Sequence, residues 1–217
     1  MKLQSTKKFG GAFVACVMAV GLTLNAGASR AADGHTIGVL DEARLGEGYT
    51  KYRSAMEDLN SRAKASDAEI LARRFLAPTE TKRFDELAAK KATRSAADET
   101  EFQAMVTSAG EHAKEYSGLM GKPAMTRTKQ EAADFKKWQE YQKDNVEAAD
   151  KMDMEAFQIL KSLQQSTDKQ YIDNANAMVQ KVAVDKKLTV LLRKDAIIWN
   201  TPTVDITDEV LNRLNKQ

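Results

Sequence analysis

The sequence predicts a mostly α-helical chain with a small β body, an α+β arrangement in which a long antiparallel helical hairpin projects as an arm from that body. Three observations carry this. Thr126 to Lys187 holds no Pro and no Gly and is rich in Ala, Glu, Lys, Gln, Asp and Met. Such residues lose little rotamer freedom in a helix, so the stretch reads as one helix about 90 Å long. Residues 44–120 form a second, interrupted helical run of similar length that can lie against the first. Short β-type runs occur near the two ends of the chain, at 36–40 and 188–199, and these supply the body.

The chain starts with Lys2, Lys7 and Lys8, an apolar run from Phe9 to Leu24, and the small residues Ala26-Gly27-Ala28. This is the pattern of a cleaved secretory leader, 1–28, too short and wrongly flanked for a membrane span. A cut at Ala31-Ala32 is the alternative. Cys16 lies inside the apolar run, and Phe13-Val14-Ala15 before it does not make a lipid-attachment site. Cleavage therefore leaves an exported chain without cysteine, held by packing or by oligomerisation instead of disulfides. The formal net charge of +2 loses the three leader lysines and becomes −1. Nothing in that balance argues for nucleic acid.

Thr36 to Leu40 reads as a strand, with Gly38 marking a close backbone approach or a bulge. Asp41 caps a helix whose apolar residues (Leu45, Tyr49, Tyr52, Met56, Leu59, Ala63, Ile70) carry it to about Phe75. Pro78 then breaks or kinks it. Residues 79–125 are helical but punctuated. Thr93-Arg94-Ser95 interrupts, and Ser95 with Asp98 forms a capping box that restarts the helix. Gly118, Gly121 and Pro123 make the strongest interior break, and Thr128 with Glu131 is a second capping box. The tip of the hairpin is placed near 118–126. A tip near 92–95, with extra short helices packed beside it, is the other arrangement the pattern allows.

On the long helix, Phe135, Trp138, Val146, Ala149, Met152, Ala156, Ile159, Leu160 and Leu163 form a thin stripe. A thin stripe suits a two-helix seam. After Lys187, Leu188–Leu192 and Ala196–Trp199 read as two strands of a hairpin around Arg193-Lys194-Asp195. Asp205 or Thr207 caps a last helix bearing Val210, Leu211 and Leu214. The body is thus 36–43 plus 188–217 and the arm is 44–187. So small a body rarely holds a core alone. Its apolar residues (Ile37, Val39, Val190, Leu192, Ile197, Trp199, Ile206, Val210) have strand edges to hide. Several bodies pooling one core is the physical expectation, with Val190, Ile197 and Trp199 buried in it.

Chemistry is thinly represented. The chain has His35 and His112 only, far apart, and no metal-ligand spacing, phosphate loop or nucleophile elbow. It reads as no enzyme, with no cofactor and no metal. His112 reads as a surface histidine, and Asp205 and Asp208 as a cap and a first-turn acid. At the tip, Met120, Lys122, Met125, Arg127 and Lys129 are the candidate contacts with a client. Methionine adapts to many partners, though at helical spacing it also fills seams. No acid occurs between Tyr116 and Gln130, so Lys122, Arg127 and Lys129 give a local +3. That suits an anionic membrane surface or an acidic segment; a solvated turn explains it as well. Pro78 and Gly121 are candidate hinges, or plain helix punctuation.

Taken together, Ile37-Gly38-Val39-Leu40-Asp41, the Ala/Lys/Glu/Gln helical middle, Leu188-Thr189-Val190-Leu191-Leu192 and Val204-Asp205-Ile206-Thr207-Asp208-Glu209-Val210-Leu211 resemble the Skp/OmpH family of periplasmic chaperones. The Asp205-Ile206-Thr207 motif is the most specific part. The resemblance implies a homotrimer whose arms surround a cavity, holding unfolded outer-membrane β-barrel proteins in the periplasm without ATP, with lipopolysaccharide as a further ligand. Two departures stand out. The arm at 44–187 is longer and more broken than in short members, and the mature chain is near neutral where familiar members are basic. The rival reading is a coiled-coil envelope spacer or scaffold that binds a folded partner or the cell wall.

Overall fold

The structure, a computed structural model, describes residues 36–198 and 204–217. The expected leader and Trp199 lie outside the described residues. Among the described residues the chain is mostly helical, with six α-helices and a single two-stranded sheet.

Strand β1 (Ile37–Leu40) pairs in parallel with β2 (Val190–Arg193), placing Ile37 opposite Val190 and Val39 opposite Leu192. Among the described residues, the hairpin expected around residues 193–195 does not form. Lys194–Ala196 is a 3₁₀ turn, and Ile197 and Ile198 join no strand. The turn is tied backwards: Lys194 Nζ lies 2.9 Å from Asp41 Oδ2, and Arg193 Nε bonds Asp195 Oδ1 at 3.1 Å. These ties hold the chain at the end of β1, so it cannot fold back along β2. Gly38 does mark a close approach, since a Cβ there would stand 2.5 Å from Leu188 Cδ1.

The Asp205-Ile206-Thr207 motif sits on the other edge of β1. Ile206 N–H donates to the Val39 carbonyl at 2.9 Å, Asp205 Oδ1 accepts from Thr207 N–H at 2.9 Å, and the buried Thr207 hydroxyl oxygen accepts from Asp41 N–H at 2.8 Å. Asp41 in turn caps α1 (Glu42–Gly48) through Arg44 N–H. Three residues thus stitch the last helix, α6 (Thr207–Leu214), to the first strand and first helix. Thr207→Val leaves the Asp41 N–H without its partner. It is expected to lower the stability read from urea unfolding by about 1–3 kcal/mol. Thr207→Ser, which keeps the oxygen, should restore most of it. A stable valine variant beside a destabilised serine variant would show that the methyl group, not the bond, matters.

The helix expected from Asp41 to Phe75 is broken. Tyr49 is extended, and α2 (Thr50–Phe75) starts after it. Helix α6 causes the break. Leu211 occupies the space beside Gly48, where a Cβ would meet its Cδ2 at 2.4 Å. Asn215 accepts from Thr50 N–H at 2.9 Å and donates to Gly48 O at 3.0 Å. Leu45, Met178, Val182, Ile206, Val210 and Leu214 close the core around this point.

Beyond α2 come α3 (Pro78–Lys90), α4 (Ala96–Gly121) and α5 (Lys129–Asp185). Pro78 is the first residue of α3, and Gly121 the last of α4. Both capping boxes form: Ser95 with Asp98, and Thr128 with Glu131. The 57 residues of α5 span about 85 Å. The thin two-helix seam expected along α5 is not what its apolar stripe builds in the N-terminal half of the helix. There α2, α3, α4 and α5 share a second core of Phe75, Leu76, Phe84, Leu87, Phe102 and Trp138. The apolar faces of α3 and α4 need cover, and α3 turns back so that Phe84 stacks on Phe102 with ring centres 4.9 Å apart.

Candidate interaction surfaces

The connection between α4 and α5 is held by its own cations. Lys122 Nζ bonds both carboxylate oxygens of Glu131 at 2.8 Å. Arg127 donates to the Leu119 carbonyl at 2.6 Å, and its guanidinium lies 3.9 Å above the Phe135 ring. These bonds satisfy the open end of α4 and neutralise one charge. The free local +3 expected here is therefore corrected: Glu131, just past the acid-free span, pairs with Lys122, and Arg127 is committed to the turn. Lys129 is exposed and makes no ion pair among the described residues. Met120 and Met125 are both exposed, Met125 almost completely at 99%.

Further exposed apolar side chains occur along α5. Val146, Met154, Phe157, Ile159 and Leu163 are exposed, with Phe157 at 50%. Sequence reading spent Val146, Ile159 and Leu163 on the seam. The sequence counts Met154 among the methionines able to adapt to many partners, whereas Phe157, which lies off the three-and-four stripe, is not marked there as a contact. Apolar residues off the stripe of a long helix were the signal available.

Another surface lies on the small sheet. Val39, Ile206 and Val210 are buried, whereas Ile37, Val190 and Leu192 are exposed, Val190 at 42%. Ile197 is half-buried and Ile198 is fully exposed. Burial of Val190 and Ile197 is thus not achieved within one chain. A two-stranded sheet has two faces. Leu40 and Leu191 pack on the core with α5 and α6, and the register pair Ile37–Val190 has no layer over it. No described helix is long and apolar enough to cross a membrane.

His112 is not a simple surface residue. It stacks on Trp138 with ring centres 4.0 Å apart, and its Nδ1 faces the Phe75 carbonyl at 3.2 Å. Charges elsewhere lock α3 to α4. Arg83 reaches Asp98 at 2.9 Å and also holds Glu101, and Lys90 reaches Asp98 at 3.1 Å. The Lys90 bond first, then Ser95 N–H and Arg83, hold the Asp98 carboxyl down at about 2. A carboxyl lowered by folding stabilises fully above its unfolded value of 3.8 and loses that contribution as pH falls toward 2. Urea midpoints should accordingly drop between about pH 4 and 2. Asp98→Asn should lower the midpoint at neutral pH and flatten that drop; an unchanged acid limb would remove Asp98 from the explanation.

A family model described as outer membrane protein (OmpH-like) matches residues 79–214, from the start of α3 to the end of α6. No curated protein matches the chain.

Proposed function

The chain belongs to the OmpH-like family, and from that premise we propose that it is an ATP-independent holding chaperone of the periplasm. In this reading, unfolded outer-membrane β-barrel proteins are kept from aggregating in a cavity between the arms of a homotrimer. The family match, which takes in all of α3 to α6, is the observation that carries it. The proposed division is a leader at 1–28, a trimerisation body of 36–43 plus 188–217, and an arm of 44–187 with its tip near 118–126.

Holding an unfolded chain needs no catalytic group. It needs many weak, adaptable contacts spread over a long surface. Met154 and Phe157 on α5, and Met120 and Met125 beside the α4–α5 turn, are exposed apolar side chains of that kind. A barrel strand alternates apolar and polar residues, so one helix can contact it at intervals without matching its sequence. Ile37, Val190 and Leu192 give the body an apolar face that further copies can cover.

The test is light scattering of a urea-diluted barrel protein with and without this chain. Scattering should be suppressed near one trimer per barrel. Met154→Ser with Phe157→Ser should weaken client affinity about tenfold, because two half-exposed apolar side chains together supply about 1–2 kcal/mol. Helicity should not change, since neither side chain is in a core. Scattering that proceeds unaltered in the presence of the chain would move the reading to a spacer or scaffold.

A further inference from the structure

The helix that lies against α5 changes along its length. Around Asp150 the neighbour is α2, through Arg74 at 2.6 Å, and around Trp138 it is α4, through Glu115 at 3.2 Å. Between these points α2 stops at Phe75, and Leu76 and Ala77 are extended. A helix end leaves its last carbonyls without partners in the helix. Here side chains of two other helices take them. Asn145 of α5 donates through Nδ2 to the Leu76 carbonyl at 2.9 Å, and His112 of α4 faces the Phe75 carbonyl. The Asn145 oxygen accepts from Arg73 at 2.6 Å, and Arg73 holds both oxygens of Asp85 on α3 at 2.8 and 3.1 Å. Arg73 and Asn145 are buried, while Asp85 is half-exposed.

We infer that Asn145, Arg73 and Asp85 form a joint that fastens α2 and α3 to α5 at the point where α4 replaces α2 as its neighbour, and that this joint sets how stiffly the α4–α5 end is held relative to the α2–α5 stretch. Apolar seams rich in Ala and Met tolerate sliding and bending, because shifted contacts are nearly equivalent. A buried hydrogen-bond chain has one register in which every group is satisfied, and any shift strands a guanidinium or a carbonyl. The chain also sits where α5 exchanges one neighbour for the other, which is where a helical pair would otherwise bend. Helix α3 acts as a splint across the exchange, fastened by Asp85 and by Phe84. All three residues are positioning residues, with no contact to a client. For its consequence, the stiffness with which client-holding surfaces are presented, the joint rests on the holding-chaperone reading. For its existence it does not.

Spin labels at the exposed positions Lys64 and Lys129 report the joint in the full chain without client. A narrow distance distribution is expected for the unaltered protein. Asn145→Leu, of similar size, removes the bonds without opening a cavity, and should broaden the distribution about twofold at unchanged helicity. Amide exchange at Leu76 and Ala77 should speed more than about tenfold. Asp85→Ala, altered from the exposed side, should broaden it in the same sense and serves if the leucine variant does not fold. A width unchanged by both variants, or already broad in the unaltered chain, overturns the joint and leaves packing alone in charge. Client retention is read separately. Failure to retain a barrel protein sinks the chaperone reading and does not touch the joint.

Discussion

Replacing Phe102 with alanine is expected to lower stability by about 3–5 kcal/mol, the range for a fully buried phenylalanine whose site cannot collapse. Phe102 has no exposed surface. One side of its ring is stacked on Phe84, and the Arg94 guanidinium lies 3.7 Å from its centre. Arg94 is itself 8% exposed and also bonds the Leu87 carbonyl at 2.7 Å. Truncation therefore opens a void and takes the aromatic face from a buried cation. Helices α3 and α4 should lose exchange protection first, because they are fastened to each other through this ring. Denaturant unfolding with residue-level exchange measures both. A loss below about 1 kcal/mol would mean that the cluster around Phe84 and Phe102 is a loose contact and that α3 is not part of a core.

The second large effect is on assembly. Val190→Asp with Leu192→Asp should abolish self-association, so that native mass falls to that of one chain. Helicity should persist, since both side chains are exposed in the single chain. Burying two unpaired carboxylates in a shared apolar interface costs several kcal/mol each, which exceeds what an interface of modest size leaves after the entropy of association. A double variant that still assembles would place the interface elsewhere and end the idea of a pooled core at the sheet.

Much of the helical layout was legible because it is written locally. The absence of Pro and Gly marks α5, and its cap Thr128–Glu131 is a four-residue signal. The restart at Ser95 is equally local, as is the stop before Pro78. The Asp205-Ile206-Thr207 motif pointed to the family before any geometry was known, and the structure gives its physical content. Each of the three residues makes a bond that ties α6 to β1 or to its own turn.

What was not legible depends on partners far away in sequence. Nothing around Gly48 announces that Leu211 and Asn215 will split a helix there. Ala196-Ile197-Ile198 has the composition of a strand, but Lys194 bound to Asp41 overrides that weak preference. The spacing of Phe84 and Phe102 shows that α3 and α4 have apolar faces. It does not show that the two face each other and then cover the end of α2. His112 looked solvated because its visible neighbours were Glu111 and Glu115; Trp138, the residue that holds it, is brought there by α5. The candidate contacts divide in the same way. Met120 and Met125 are exposed because they flank a turn that the sequence marks. Lys122 and Arg127 are occupied by partners that only the folded turn supplies.

The most direct measurement is the native mass of the chain without residues 1–28, first alone and then after mixing with a urea-diluted outer-membrane barrel protein. A trimer alone, shifting to a trimer carrying one barrel chain that stays in solution, is the expected result. A single-chain mass in both samples, or a trimer that leaves the barrel to aggregate, would contradict it.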